Sequence, residues 1–134
     1  MARVESLLPE DQNLWGKMNG YQMVKHCCKS EEMYLGKTSY NRLFVGRLFG
    51  SMALKGIMKD ESPLKRNQPT HPDMKISGKG NFKQQKEEWV ALLAAYQHFS
   101  NPGFIHPFFG KMTEKEIGRY VYKHTDHHLR QFGR

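Results

Sequence analysis

Apolar residues recur every three or four positions in four stretches of the chain, and the alternation typical of half-buried strands is nearly absent. This spacing places apolar side chains on one face of an α-helix and therefore predicts four helices. We expect them at residues 19–36, 39–59 and 81–101, and from Thr113 onward. The apolar stripe of the second helix consists of Leu43, Phe44, Leu48, Phe49 and Met52.

Individual polar and small residues sharpen these helix predictions. Asn19, Asn81 and Thr113 each precede a Gln or Glu by three positions, which is the pattern of a helix-capping box. Gly46 and Gly50 lie inside the second predicted helix, where glycine lowers helix propensity. We therefore expect three well-defined helix starts and a close approach of another backbone to the second helix.

The helical pattern stops between Ser62 and Gly80, a stretch with three prolines and two glycines. A connection this long permits the helices on either side of it to run in the same direction, whereas short connections favour antiparallel neighbours. We predict one all-α domain over residues 1–134, a four-helix bundle with a crossover loop at 62–80. The apolar segment FIHPFFGKM at 104–112 is expected to be a loop packed against the bundle end.

Composition narrows the class of protein. No apolar run approaches the roughly 18 residues of a membrane-spanning helix, and the first residues lack the apolar segment of a signal peptide. Cys27 and Cys28 are adjacent, which disfavours a disulfide between them and fits a reducing compartment. We expect a cytoplasmic protein with no membrane partner.

The net charge of +8 raises the question of nucleic-acid binding. The basic residues are scattered, however, and the densest stretch, residues 55–86, holds eight Lys or Arg against three acids. The basic residues of this stretch either form a solvated surface or attract an anionic small molecule. We expect no nucleic-acid partner.

The last predicted helix carries three histidines that differ in their position around the helix axis. With His124 at zero and about 100° per residue, His128 lies at about 40°, within the apolar stripe. His127 lies on the flank of the stripe at about −60°, and Asp126 lies on the opposite side at about 200°. His124 and His128 are therefore predicted to point into the bundle.

Two imidazoles in an apolar interior are costly unless they are hydrogen-bonded or bind an ion. A His-x-x-x-His pair on a helix often forms half of a divalent metal site, although core or surface histidines are more common. His26, in mid-helix among apolar neighbours, is the natural third ligand. Three neutral imidazoles suit zinc or nickel and leave one position open. Tyr120 and His127 flank this face and are candidates for proton transfer, whereas three further histidines are weaker candidates: His71, His98 and His106.

Two segments carry a resemblance to a known family: LWGKMNGYQMVKHC at 14–27 and HPFFGKMTEKEIGRYVYKHTDHHLRQF at 106–132. Together they resemble the DinB/YfiT-like superfamily of metalloenzymes and, more narrowly, a bacterial branch of it. The resemblance implies a four-helix bundle with up-down-down-up topology and a divalent metal, often nickel or zinc, held by three histidines. Matched motif by motif, these are His26, His124 and His128.

Relatives implied by this resemblance include metal-dependent hydrolases and transferases or isomerases that use low-molecular-weight thiols. One hypothesis is therefore a metal-dependent enzyme acting on a small molecule or a thiol. The alternative is a non-catalytic helical bundle that binds a ligand or partner and keeps a structural or vestigial metal site. Apolar residues near the helix ends are compatible with a homodimer.

Overall fold

Four long helices dominate the computed structural model, which describes all residues 1–134. They correspond to the four helices that the hydrophobic spacing predicts, so the all-α prediction is confirmed. The elements in chain order are α1 (Ala2–Glu5), α2 (Gly20–Tyr34), α3 (Phe44–Met58), α4 (Phe82–Ala94), β1 (Ile105–His106), β2 (Gly110–Lys111) and α5 (Glu114–Gln131).

The predicted capping residues begin three of the helices. Asn19 and Thr113 each form a complete capping box, in which the side chain accepts a backbone N–H and the third helical residue reciprocates. The Asn81 side chain accepts the N–H of Gln84 at 3.0 Å. α3 starts without a side-chain cap. The positions of α2, α4 and α5 are therefore determined by local sequence, whereas that of α3 depends on its tertiary contacts.

The apolar segment before α5 is a short antiparallel hairpin, β1 paired with β2, rather than the expected loop. The hairpin also shortens α3, which begins at Phe44 and not near residue 39. The Leu43 N–H donates to Pro107 O at 3.0 Å, and the Arg42 guanidinium donates to His106 O at 2.6 Å. Residues before Phe44 therefore bind the hairpin instead of forming a first helical turn.

The face that α3 turns toward the protein differs from the predicted one. Gly46 and Gly50 lie against the backbone of Phe108, and a Cβ atom at Gly46 would be 2.5 Å from Phe108 O. Leu54 completes this buried face. The predicted close backbone approach is thus confirmed, but the predicted apolar stripe is not the buried face of α3, because four of its five residues are exposed: Phe44, Leu48, Phe49 and Met52.

The core consists of two apolar clusters. Both include residues of α2 and α5, at different positions along these two helices. One surrounds Trp89 and includes Met23 and Leu129. The other surrounds Tyr34 and includes Val121. Along α5, residues 124–128 lie between Val121 of the second cluster and Leu129 of the first, whereas residue 26 of α2 lies within the stretch that carries the first cluster. No helix has the length and apolar character needed to cross a membrane.

Candidate metal centre

The three histidines that the sequence singles out lie together between α2 and α5. The Nε2 atom of His124 is 3.3 Å from Nε2 of His26 and 3.1 Å from Nε2 of His128. One ligand nitrogen from each ring lies within 4.8 Å of the others. The four-residue spacing on α5 places His124 and His128 on one side of the helix, and α2 brings His26 to the same point.

Hydrogen bonds on the far side of two rings determine which nitrogen carries the proton. His26 Nδ1 lies 3.3 Å from Met74 O, an acceptor, so His26 Nδ1 is the protonated nitrogen. His128 Nδ1 lies 2.9 Å from Gln131 Oε1. The amide of Gln131 is oriented by its Nε2, which donates to Trp15 O at 2.8 Å. The Nε2 atoms of His26 and His128 consequently present lone pairs to the centre of the cluster.

The cluster has the donor set and spacing of a divalent metal site. The single N–H of His124 can satisfy only one of the two neighbouring lone pairs, so the other lacks a partner within the cluster. A tetrahedral ion with bonds of about 2.0–2.1 Å holds its ligand atoms about 3.3 Å apart, which agrees with the two separations measured from His124 Nε2. The three imidazoles therefore fit a divalent ion.

Burial keeps these histidines neutral, the form that binds metals. His26 and His128 are only 5% and 6% exposed. Loss of hydration lowers the pKa of His128 to about 3 and lowers the pKa of His26 below its usual value. The pKa of His124 lies well below the usual value for the same reason, reinforced by the two neighbouring rings.

The residues predicted to flank the ligands lie where helical geometry puts them. The Tyr120 ring stacks on His124, with ring centroids 5.8 Å apart, and burial raises the pKa of Tyr120 to about 12. His127 is partly buried and meets the ring of His128 edge-on at 5.2 Å. Asp126 points away and pairs with Arg3 and Arg130, each at 2.7 Å. Asp126 therefore lies outside the cluster, as predicted.

The three remaining histidines also lie outside the cluster. His106 is part of the hairpin, where its Nδ1 accepts the backbone N–H groups of Phe108 and Phe109 at 3.0 and 3.1 Å. His71 Nε2 lies 3.1 Å from Asn41 O, and His98 is exposed. A cavity of about 330 Å³ beside the hairpin contains none of the seven histidines.

The N-terminal arm and the crossover cover this end of the bundle with residues that sequence reasoning missed. Trp15 meets His127 edge-on at 5.8 Å, and the Arg66 guanidinium lies 4.1 Å above the Trp15 ring. Gly16 has a φ of +82°, and a Cβ there would lie 2.5 Å from the Gln131 amide nitrogen. Of these, only Gln131 carries a sequence signal, since it follows a predicted ligand by three positions.

Comparison with known proteins identifies the family. A family model described as the DinB superfamily matches residues 5–132, which is nearly the whole chain. No curated protein and no solved structure gives a significant match. The matched region includes all four long helices and the three clustered histidines. The chain belongs to the DinB superfamily.

Proposed function

We propose that this protein is a divalent-metal-dependent enzyme whose ion is held by His26, His124 and His128. The observation that carries the proposal is the set of converging Nε2 atoms, two of which are held in the metal-binding tautomer by Met74 O and Gln131. A hydrogen bond to the other nitrogen of a ligating histidine is characteristic of metal centres. Zinc and nickel are the ions that best suit three imidazoles.

The proposed nucleophile is a water molecule or a low-molecular-weight thiol. The proposed second substrate is a small molecule that this nucleophile attacks. A divalent ion in this site would lower the pKa of a bound water or thiol and so supply a nucleophile near neutral pH. The reaction class is hydrolysis, or thiol transfer or isomerisation. Residues of the chain would bind and orient the small molecule beside the open position.

Two groups next to the histidines support a role in proton handling. The Tyr120 hydroxyl stays protonated because burial raises the pKa of Tyr120 to about 12, so it acts as a hydrogen-bond donor. His127 lies against His128 and beneath Trp15 and is the nearest further imidazole on α5. Arg66, held over Trp15, adds a positive charge that favours an anionic substrate at this end of the bundle.

A second candidate function is a non-catalytic binding protein with a structural metal site. The observation in its favour is burial, because His26 and His128 are almost fully covered by protein. A closed site with protein on all sides stabilises a fold, whereas an open position is needed for catalysis. The two candidates share the metal and differ in substrate access.

Metal analysis of protein purified without a histidine tag tests the shared part of both candidates. We expect close to one zinc or nickel ion per chain in the wild type and loss of the ion in His26→Ala and His128→Ala. His98→Ala is the matched control, because His98 is exposed and far along the chain from the cluster. Wild-type protein that binds no divalent ion under conditions that do not strip metals would contradict the proposal.

Activity assays then separate the enzyme from the structural site. The metal-loaded protein would be screened for ester and amide hydrolysis and for transfer of small thiols, with the chelated protein as reference. Metal-dependent turnover that His128→Ala abolishes supports the enzyme. Stoichiometric metal with no turnover, combined with lower thermal stability after chelation, supports the structural site.

A further inference from the structure

α3 is apolar on both of its faces. Its inner face, with Gly46, Gly50 and Leu54, is buried against the hairpin and α5. Its opposite side carries five large apolar side chains that are 52–74% exposed. We call this set the outer face of α3: Phe44, Val45, Leu48, Phe49 and Met52.

An apolar face of a helix is normally covered by another part of the protein or by a partner. The five side chains of the outer face together present roughly 500 Å² of apolar surface, near the upper end of the largest patch on an ordinary monomeric protein. No other part of the chain covers them, although all residues 1–134 are described. The outer face therefore has the character of an interface rather than of a solvated surface.

The size and composition of the outer face fit a second copy of the same chain. Pairing two outer faces would bury up to roughly 1,000 Å² of apolar surface before any contribution from the rim, which is about the minimum for a specific interface. A two-fold axis must pass through the middle of such a self-complementary patch. The middle of the outer face is Leu48, which lies four residues from both Phe44 and Met52.

The lysines at one end of the outer face favour one relative direction of the two helices. α3 contains no acidic residue, and Arg47 is exposed on the flank of the outer face. Beyond Met52 the exposed side carries Lys55, followed by Lys59 just after the helix. A parallel pair would place these ammonium groups beside their own counterparts, which is unfavourable. An antiparallel pair separates them and places Phe44 opposite Met52 of the second copy, a favourable sulfur–aromatic contact.

We propose that the protein forms a two-fold symmetric homodimer through the outer face of α3, with the two α3 helices antiparallel and Leu48 at the axis. This inference is independent of the metal and of the proposed reaction. It depends only on the apolar outer face and on the lysines at one end of that face.

The mass in solution tests the proposed interface. Analytical ultracentrifugation of the untagged protein at tens of micromolar is expected to give twice the chain mass of 15.7 kDa. Leu48→Glu places two carboxylates at the axis and is expected to weaken dimerisation by about 100-fold or more. The matched control is Tyr122→Glu, because Tyr122 is 67% exposed on α5 and should leave the dimer intact.

Each other result of this measurement overturns the inference. A wild-type protein that is monomeric rules out self-association. The same holds if the monomer binds a different protein through this face. A Leu48→Glu variant that stays dimeric with an unchanged circular dichroism spectrum shows that the copies meet elsewhere. Leu48 is 61% exposed, so its substitution should not prevent folding.

Cross-linking tests the antiparallel arrangement. Leu48→Cys lies at the axis, so mild oxidation should join two copies through a disulfide. Lys55→Cys lies seven residues from the axis, so its counterpart in the second copy would be about 21 Å distant and no disulfide should form. Cys27 and Cys28 are buried and should not react, which makes the wild type a suitable blank. Equal cross-linking of both variants would overturn the antiparallel arrangement, and cross-linking of neither would overturn the interface.

Discussion

Two regions depart in opposite ways from the usual pattern of apolar residues inside and polar residues outside. They are the histidine cluster between α2 and α5 and the outer face of α3. The first places polar rings in the interior, where His26 and His128 are almost fully buried, and the second leaves Phe44 and Leu48 in solvent. Buried polar groups and exposed apolar patches are the two informative exceptions to the rule that apolar residues lie inside. At least one inward lone pair of the cluster, and the apolar side chains of the outer face, have no partner within the chain, and their chemistry is the basis for the two partners proposed above: a divalent ion and a second copy.

The two regions differ in how firmly contacts within the chain hold their side chains in place. At the cluster, Met74 O and Gln131 Oε1 accept hydrogen bonds from the Nδ1 atoms of His26 and His128, so the Nε2 lone pairs of these two rings are fixed in direction. The outer face of α3 has no such supporting contacts, and its side chains are free to rearrange. A bound ion should therefore change the stability of the single chain, whereas the outer face should change mainly its association.

Removal of the metal is the largest effect that this comparison predicts. An ion present at about 1,000 times its dissociation constant stabilises the folded state by about 4 kcal/mol, so a strong chelator should lower the free energy of unfolding by that amount. Urea unfolding followed by circular dichroism, with and without chelator, measures it. His26→Ala should not respond to the chelator, and Leu48→Glu should respond as fully as the wild type. Equal stability of wild type with and without chelator would contradict the prediction.

Two glycines of α3 provide the next test, because they separate its inner contact from its outer surface. A Cβ at Gly50 would collide with the backbone of Phe108, whereas a Cβ at Gly56 meets nothing within 4 Å. Gly50→Ala should destabilise the chain by about 3 kcal/mol through forced displacement of the hairpin. Gly56→Ala should stabilise it by about 1 kcal/mol, since alanine is the better helix former. Similar unfolding midpoints for the two variants would show that the hairpin is not packed against α3 in solution.

The sequence predicts the histidine cluster well because its geometry is largely local. Residues four apart on a helix share a side, and the capping box at Thr113 determines where α5 begins. The supporting contacts are not local: Met74 lies in a single 3₁₀ turn of the crossover and Trp15 in an irregular arm, and neither position has a periodicity that points to the cluster. Their roles depend on tertiary packing alone.

The wrong prediction for α3 has a different cause. Counting large apolar side chains makes Phe44 and Leu48 appear to belong to the core, since such side chains usually contribute most to burial. Glycine contributes no side chain, yet Gly46 and Gly50 allow the Phe108 backbone to approach and thereby decide which face is buried. A hydrophobic pattern therefore predicts that α3 is a helix but not which of its two apolar faces meets the protein.

Gln131 gives the smallest and most selective test of the cluster, because it contacts a proposed ligand without being one. Its Oε1 accepts the Nδ1–H of His128, while its Nε2 donates to Trp15 O. Gln131→Leu removes both bonds and should weaken metal binding by roughly 10–100-fold. Gln131→Glu keeps an acceptor for His128 and should retain most of the affinity, although it loses the bond to Trp15. Competition against a chromogenic chelator measures both variants. Equal loss of affinity in the leucine and glutamate variants would show that the hydrogen bond to His128 does not support metal binding. The hydrogen bond from Gln131 to Trp15 O would then be the contact that maintains the affinity.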